Sequence, residues 1–368
     1  MSVKIAYSTN TSSKEASQEI KEKFSNENNL KLVLFFASSN YDPNEIAAEM
    51  QNNFSSLKTF GCTTSGELIS GLMLKNSIVA MAFSDDLIED FSVEVLDDLN
   101  KKDAVDLAFK NFESHYESKM QEMDFKKYVG LTLIDGLSLA EEKIIDRIGD
   151  LTNIPFVGGS TGDDLKFTKT HVFYNGKAFS NSAILALLKP KVDFDIIKTQ
   201  SFKALDKKLI PTKINSETRT VYEFNNIPAV KAYTDLIGID INDASKYFMH
   251  HPLGLMANDE PFVRSPQQTK DDAMVFYCNV SENMELSLLE SGNIVDDTKR
   301  DLDLANQKRK IKSMINFNCI LRTLELEAKD QTEAYGKVFE DIPTIGFSTY
   351  GEQYLGHINQ TSTILVFY

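Results

Sequence analysis

The sequence has no tryptophan, only three cysteines and no long apolar run. The number of cysteines is odd, and the three residues Cys62, Cys278 and Cys319 contain no C-x-x-C pair. Both facts argue against a zinc ribbon and against a secreted disulfide framework. The apolar runs, such as 78–83 and 183–188, have strand lengths, whereas a membrane-spanning helix needs about 20 apolar residues. The first seven residues are typical of a strand rather than a signal peptide. We therefore expect a cytoplasmic protein without membrane insertion.

Positive charge is also scarce, since 39 Lys and Arg face 54 Asp and Glu and give a net charge of -15. The densest basic stretch, 299–312, also contains Asp301 and Asp303, which indicates a solvated helix face. A protein that binds phosphate backbones needs clustered positive charge, so we expect no nucleic-acid partner. The length of 368 residues predicts two or three domains with room for a large core.

One short turn recurs three times along the chain. Its copies read F-G-C-T-T-S-G-E at 60–67, V-G-G-S-T-G-D at 157–163 and I-G-F-S-T-Y-G-E at 345–352. Each copy follows an apolar run and a helical stretch, and each precedes an apolar run that opens on a serine, at 77–83, 182–188 and 362–367. This pattern predicts repeated strand-helix-turn-strand units and an α/β (mixed α+β) fold, in which helices cover mixed sheets.

The repeated turn has two interpretations at this stage. Glycine permits positive φ and Ser/Thr hydroxyls satisfy turn amides, so any duplicated fold would keep such residues. Alternatively, the hydroxyls and the acid at the end of each copy line one polar pocket where the three turns meet.

The chain divides near residue 225 by its patterns. We predict a first module over 1–225 with two turn copies, and a second over 226–368 with the third copy. A hairpin is expected over 210–224 and a helix from Pro228 that Gly238 ends. The two modules are expected to pack against each other, because no segment has the composition of a free linker.

The order of short motifs resembles the FIST family over about residues 30–366. The matching motifs are Y-D-P at 41–43, the first turn at 61–67, G-G-S at 158–160, E-F-N-N-I-P-A at 223–229, H-P-L-G at 251–254, V-R at 263–264, F-N-C-I-L-R at 317–322 and G-F-S-T-Y-G-E at 346–352. The resemblance implies a sensory module that binds a small molecule such as an amino acid. It also implies a signalling partner, such as a histidine kinase, a chemoreceptor or a cyclic-dinucleotide enzyme.

Arg322 is the leading candidate for ligand contact, because a guanidinium can clamp a carboxylate through two hydrogen bonds. Glu67 and Glu352 are candidates for an ammonium group, so that an amino-acid-like or carboxylate ligand would lie between the two modules. The alternative is that Arg322 pairs internally with Glu67 or Glu352. The full predicted ligand-binding set is Thr63, Thr64, Ser65, Glu67, Ser160, Thr161, Asp163, Arg264, Cys319, Arg322, Thr349, Tyr350 and Glu352.

Two further hypotheses remain open. Some family members resemble haem-binding nitric-oxide sensors, and haem needs an axial ligand; the possible donors are His250, His251, His357, Cys62 and Cys319. The other is a cryptic hydrolase or transferase with a Ser or Thr nucleophile in a repeat turn and Glu67 or Asp163 as base. The stretch 136–140 fails the G-x-S-x-G pattern at Ala140, and the H-E-x-x-H, P-loop and G-x-G-x-x-G motifs are absent. We therefore predict a protein that is not an enzyme and that needs no metal or cofactor.

Overall fold

Three copies of one β-α-β-α-β-hairpin-β unit make up most of the chain. The computed structural model describes residues 3–25, 29–258 and 260–368. It confirms the predicted mixed α/β fold, in which helices cover mixed sheets. Each unit is larger than the sequence pattern predicted, because a further strand and helix precede the strand-helix-turn-strand core.

The first two units follow each other directly along the chain. The first consists of β1 (Val3–Ser8), α1 (Ser13–Phe24), β2 (Leu30–Ser38), α2 (Pro43–Asn53), β3 (Lys58–Thr64), β4 (Glu67–Ile69), β5 (Leu72–Leu74) and β6 (Ile78–Ser84). The second consists of β7 (Ile88–Leu96), α3 (Ala104–Tyr116), β8 (Val129–Ile134), α4 (Glu141–Leu151), β9 (Phe156–Ser160), β10 (Val172–Tyr174), β11 (Lys177–Phe179) and β12 (Ala183–Pro190).

The third unit is interrupted by an insertion over 202–291. It opens with β13 (Phe194–Thr199). The insertion then contains β14 (Phe202–Leu209), β15 (Pro211–Asn215), β16 (Thr220–Phe224), β17 (Ile227–Pro228), α5 (Ala229–Ile237), a 3-10 turn (Ile241–Asp243), α6 (Ala244–Tyr247), β18 (Leu253–Ala257), β19 (Glu260–Arg264), β20 (Pro266–Lys270), β21 (Ala273–Phe276) and β22 (Leu286–Ser291). The unit resumes with α7 (Ile294–Lys308), β23 (Ser313–Cys319), α8 (Ile320–Ala328), α9 (Thr332–Lys337), β24 (Thr344–Thr349), β25 (Glu352–Gln353), β26 (His357–Ile358) and β27 (Ser362–Phe367).

The three units build three six-stranded sheets with one common strand order. The orders are β1-β6-β2-β3-β10-β11, β7-β12-β8-β9-β25-β26 and β13-β27-β23-β24-β4-β5. Each sheet contains one parallel pair of neighbouring strands, which is β2-β3, β8-β9 or β23-β24. The other neighbouring pairs are antiparallel.

The short hairpin of each unit pairs with a strand of another unit. The β4-β5 hairpin of the first unit pairs with β24 of the third, β25-β26 of the third pairs with β9 of the second, and β10-β11 of the second pairs with β3 of the first. The exchange closes a ring, so two of the sheets combine strands from both sides of residue 225.

The inner faces of the three sheets share one hydrophobic core. Phe36 of the first unit lies 4.6 Å from Phe347 of the third, measured between ring centroids, and Leu131 and Leu133 of the second unit belong to the same cluster. Alternate residues of each strand face outwards, where the helices of the same unit cover them. No helix among the described residues is long and apolar enough to cross a membrane.

Local signals located two helices correctly and a third only approximately. Asp42 caps α2 by accepting hydrogen bonds from the amides of Asn44 and Glu45, and Gly238 ends α5 with a φ of 78°. The S-x-x-E pattern at 138–141 predicts a helix cap at Ser138, and this prediction is wrong because α4 begins at Glu141. The Ser138 hydroxyl instead accepts from the amide of Ala140 and stays in the preceding loop.

Candidate functional site

The three repeated turns meet in space. We call residues 60–67, 157–163 and 345–352 the hub, because each turn is joined to both others by hydrogen bonds. These bonds run from Gly162 N to Thr63 O (3.1 Å), Ser65 N to Ser348 O (3.2 Å), Ser348 N to Gly66 O (2.8 Å), Ser160 N to Gly351 O (2.8 Å) and Tyr350 N to Ser160 O (3.1 Å). The hub therefore holds the three sheets together at one point.

The acid of the first turn is used within that turn. One oxygen of Glu67 contacts the Thr64 hydroxyl, and the other accepts from the Ser77 amide (3.1 Å) and hydroxyl (2.5 Å). Burial raises the pKa of Glu67 to about 8, so the carboxyl is mostly protonated at neutral pH. Thr64 is fully buried behind it. A neutral acid and a buried hydroxyl favour a structural role over ammonium binding or nucleophilic catalysis.

The third turn repeats this arrangement. Glu352 contacts the Thr349 hydroxyl and accepts from the Thr361 amide (3.2 Å) and hydroxyl (2.8 Å). Burial raises the pKa of Glu352 to about 7. Burial raises the pKa of the Cys319 thiol well above its usual value, and the negative charge of Glu352 acts in the same direction. Glu67 and Glu352 thus have matching roles in closing their own turns.

The middle turn uses its acid to fix a loop. Asp163 accepts hydrogen bonds from the amides of Phe167 (3.0 Å), Thr168 (2.7 Å) and Lys169 (3.1 Å) and from the Tyr350 hydroxyl (2.5 Å). Burial alone would raise the pKa of this carboxyl, but these donors hold it below its usual range. Asp163 therefore holds the 163–169 loop against the third turn.

Arg322 lies neither in a pocket nor opposite an acid of the turns. Its side chain is buried on α8, where Nε donates to Asn318 Oδ1 (3.0 Å) and Nη2 to Thr298 Oγ1 (2.7 Å). Its guanidinium lies 5.7 Å from the centre of the Tyr335 ring. The structure thus shows neither the carboxylate clamp nor the ion pair with Glu67 or Glu352 that the sequence suggested. Arg322 joins α8 to α7 and α9 instead.

The remaining predicted residues divide between the hub and the walls of cavities. The hydroxyls bond to neighbouring backbone or to other side chains: Thr63 to His171 N (3.0 Å), Thr161 to Gly136 N (3.2 Å) and Ser160 to Glu141 Oε1 (3.3 Å). Arg264 donates to the Val263 carbonyl (3.2 Å). Cys319 and Tyr350 line the main cavity, and Ser65 lines a smaller one beside it.

A cavity with a volume of about 280 Å³ lies where the insertion rests on the hub, and we call it the main cavity for this position rather than for its size. Its apolar walls come from both sides and consist of Leu137, Leu139, Leu165, Phe167, Val275, Phe276, Ile320, Leu321 and Leu324. Its polar lining consists of Glu141, Thr218, Arg219, Gln267, Tyr277 and Asn359, with Cys319 and Tyr350 beside them. An apolar pocket with a few convergent polar groups is typical of small-molecule sites.

The rim of this cavity concentrates unusual backbone conformations. Leu139, Leu165, Phe167 and Arg219 all have positive φ, at 55°, 62°, 49° and 50°. Bulky side chains rarely adopt this region, and such residues cluster at ligand-binding sites. The first three also expose 40–52% of their surface at the mouth.

Arg219 and Glu141 of the cavity lining belong to a buried ionic cluster. Arg219, only 8% exposed, donates to Glu141 Oε2 (2.9 Å), Glu142 Oε2 (2.5 Å) and the Tyr277 carbonyl (2.6 Å). Two carboxylates face one guanidinium, so the cluster carries a formal charge of -1. The sequence did not predict Arg219 or Glu141 as site residues, because the two partners are 78 residues apart in the chain.

Asn359 provides free hydrogen-bonding groups in the lining of the same cavity. The side chain is 1% exposed and lines the cavity, yet neither its Oδ1 nor its Nδ2 has a partner. The neighbouring Gly351 leaves room for it, since a Cβ there would lie 2.2 Å from His357 Cε1 and 3.2 Å from Asn359 Nδ2. A buried amide without partners needs a hydrogen-bonding occupant. No sequence motif pointed to Asn359.

The donors around this cavity do not fit haem. Among the described residues no histidine lines it: His250 and His251 contact Ser291 and Leu289 of the insertion, and His357 lies behind Gly351. The one cavity thiol, Cys319, favours its protonated form. The described residues also contain no group of three or more His, Cys, Asp or Glu placed to hold a metal ion.

Comparison with known proteins gives matches over most of the chain. A family described as the FIST N domain matches residues 31–227, and one described as the FIST C domain matches residues 229–355. An uncharacterised protein of Methanocaldococcus jannaschii is 23% identical over 326 residues. That alignment covers 79% of this chain and 63% of the archaeal protein.

Proposed function

Since the chain belongs to the FIST family, whose domains are associated with sensory and signal-transduction roles, we propose that it is a sensor that binds a small amino-acid-like ligand in the main cavity. The observation that carries this proposal is the unpartnered side-chain amide of Asn359 in a cavity that is also lined by Glu141, Arg219 and apolar side chains. The cavity volume is near the lower end of the ~300–1,000 Å³ found for small-molecule pockets, which favours a compact ligand.

The chemistry of the cavity assigns a place to each part of such a ligand. An ammonium group suits Glu141, because the ionic cluster has one carboxylate in excess. The carboxylate of the ligand suits the free Nδ2 of Asn359. An apolar side chain suits the walls around Leu139, Phe167 and Leu324. We therefore expect a preference for free, apolar amino acids.

Thermal denaturation against a ligand panel tests this function. The panel contains free leucine, methionine and phenylalanine, their N-acetyl and amide derivatives, glutamate and lysine. A ligand at 100 times its Kd adds about 2.7 kcal/mol to the free energy of unfolding, which raises Tm by several degrees. We expect this shift from the free apolar amino acids and not from derivatives that lack the ammonium or the carboxylate. If no ligand of the panel raises Tm, the proposal is wrong.

Asn359→Leu locates the binding site. We expect it to abolish the ligand-induced shift while leaving ligand-free stability within about 1 kcal/mol of wild type, because it removes an unsatisfied buried amide. Asn316→Leu is the matched control, since Asn316 is equally buried on β23 but does not line this cavity. Asn316→Leu is expected to lower Tm and to retain the shift. If the shift survives Asn359→Leu, the ligand binds elsewhere.

The signalling role requires a second protein that responds to the occupied state. A histidine kinase, a chemoreceptor or a cyclic-dinucleotide enzyme in the cytoplasm is our proposed partner. Purification of the tagged protein with and without the panel ligand, followed by identification of co-purifying proteins, tests for such a partner. A partner of this kind is expected to depend on the ligand, and binding that ignores the ligand contradicts the signalling role.

A further inference from the structure

The insertion has a hydrophobic core of its own. Its main cluster contains Phe224, Tyr233, Met274, Phe276 and Leu288, and every member of that cluster lies between residues 202 and 291. A second, smaller cluster around Val263 also stays within these limits. The core shared by the three sheets contains no residue of the insertion. The insertion is therefore a separately packed body resting on the hub.

Two adjacent strands connect this body to the third unit. Phe202 of β14 pairs with Ser291 of β22, so the chain enters and leaves at neighbouring points. The amide of Gly292 donates to the Ser201 carbonyl (2.5 Å) at this junction. Close entry and exit points let a body rotate as a unit through few backbone torsions.

Polar contacts hold the insertion against the rest of the molecule. Arg219 donates to Glu141 and Glu142, and the backbone N–H of Asn279 donates to Glu142 Oε1 (2.9 Å). At other points of the interface Gln360 accepts from Ser265 Oγ (2.7 Å) and donates to the Met249 carbonyl (2.8 Å), and Lys198 of β13 pairs with Glu260 (2.9 Å). Between these contacts the apolar walls are separated by the main cavity. Interfaces held by polar contacts permit relative motion more readily than apolar ones.

Several buried polar atoms at this interface lack partners. They are Arg264 Nε and Asn279 Oδ1 on the insertion, and Gln353 Oε1, His357 Nε2 and both amide atoms of Asn359 on the other side. Buried groups without partners are costly. Separation of the two surfaces would let water reach these atoms, which lowers the free-energy cost of opening.

We propose that residues 202–291 form a hinged lid over the main cavity, held shut by the Arg219–Glu141–Glu142 latch and opening about the 201–202 and 291–292 junction. The lid contributes Thr218, Arg219, Gln267 and 275–277 to the cavity, so an occupant touches both bodies. A ligand that bridges them favours the closed form. Regulation by closure rests on the proposed function, whereas the hinge itself does not.

Hydrogen exchange measured by mass spectrometry on the full chain tests the lid. Glu142→Gln removes one charged partner of Arg219 and weakens the acceptor of the Asn279 amide. Because hydrogen bonds to charged groups are among the stronger ones in proteins, we expect roughly tenfold faster exchange in peptides covering 275–280 and 352–361. Exchange in β16 and β22, inside the lid, is expected to stay unchanged. Arg219→Lys, which keeps the charge, is a second latch variant with the same expected direction.

Lys231→Gln is the matched control, because it breaks an exposed ion pair with Asp235 inside the lid and leaves the latch intact. Faster exchange confined to the two interface peptides in both latch variants supports the hinge. Unchanged interface exchange overturns it, as does equal acceleration in β16 and β22, which would mean that the lid unfolds rather than opens.

The ligand arm separates this inference from the proposed function. A panel ligand is expected to slow exchange in both interface peptides of the wild-type protein. If ligands raise Tm but neither the ligand nor the latch variants change exchange in the interface peptides, the lid proposal is wrong and the binding function is supported. If the latch variants exchange faster at the interface while no ligand raises Tm, the hinge is supported and the proposed binding function is wrong.

Discussion

Glu67 occupies a buried site that favours its protonated form. The Thr64 hydroxyl has one proton, yet it lies within hydrogen-bonding distance of both the Ala37 carbonyl (3.3 Å) and Glu67 Oε1. If Glu67 is protonated, its own proton bonds to Thr64 Oγ1 and the Thr64 proton bonds to Ala37. Each donor then has an acceptor, and no negative charge is buried.

A pH series of denaturation tests this protonation state. The folded protein holds the Glu67 proton up to about pH 8, whereas the unfolded chain releases it near the ordinary value of 4.5. A raised folded pKa gives stability that is fully present below the unfolded pKa and is lost as pH rises through the folded pKa. Glu67→Gln mimics the protonated acid and does not titrate. We expect the free energy of unfolding of Glu67→Gln minus that of wild type to increase by roughly 1 kcal/mol per pH unit between about pH 5 and 8.

Subtracting the two proteins cancels the other titrating groups, and Glu15→Gln, an exposed change on α1, is the control. A difference between Glu67→Gln and wild type that stays constant with pH would show that Glu67 does not titrate in this window.

Individual residues show where sequence reasoning succeeded and failed. The repeat pointed to Glu67, Asp163 and Glu352 as special, and all three do fix the turns. Whether Arg322 would face a ligand, an acid or neither depended on the packing of α7, α8 and α9, which no local pattern encodes. Asn359 was missed because its importance lies in having no partner, a property of the folded surroundings.

At the scale of elements, the exchanged hairpins decide how the units join. The β25-β26 hairpin pairs with β9 of the second unit, and Gly351 precedes it where the turn passes His357 and Asn359. Short strands of two or three residues carry almost no signal in the sequence. Pairings such as β4 with β24, about 280 residues apart, depend on the tertiary fold. Longer elements with caps, such as α2, were predictable because their signals are local.

Gly351→Ala tests the close approach at this hairpin. An added Cβ would lie 2.2 Å from His357 Cε1, so we expect a loss of about 1–3 kcal/mol in the free energy of unfolding. Gly149→Ala is the matched control, because Gly149 lies within α4 with nothing within 4 Å of the added Cβ. That change is expected to stabilise by about 0.4–1 kcal/mol. Chemical denaturation of both variants measures the difference, and equal effects would contradict the crowding at Gly351.

At the scale of the molecule, three similar units surround one hub but only the third carries an insertion. The insertion covers the hub where the second and third units meet, and the main cavity lies beneath it. The sequence predicted three repeats and their fold class. It did not reveal the ring of exchanged hairpins or the separate core of the insertion, because both arise from contacts between distant segments.

The central claim is that this one cavity holds a small amino-acid-like molecule. A crystal structure of the protein grown with the free amino acid that gives the largest Tm shift tests it most directly. We predict density for the ligand between Asn359 and Leu324, with its ammonium on Glu141 and its carboxylate on Asn359 Nδ2. Ligand density at another site, or a cavity containing only water at saturating ligand, would contradict the account.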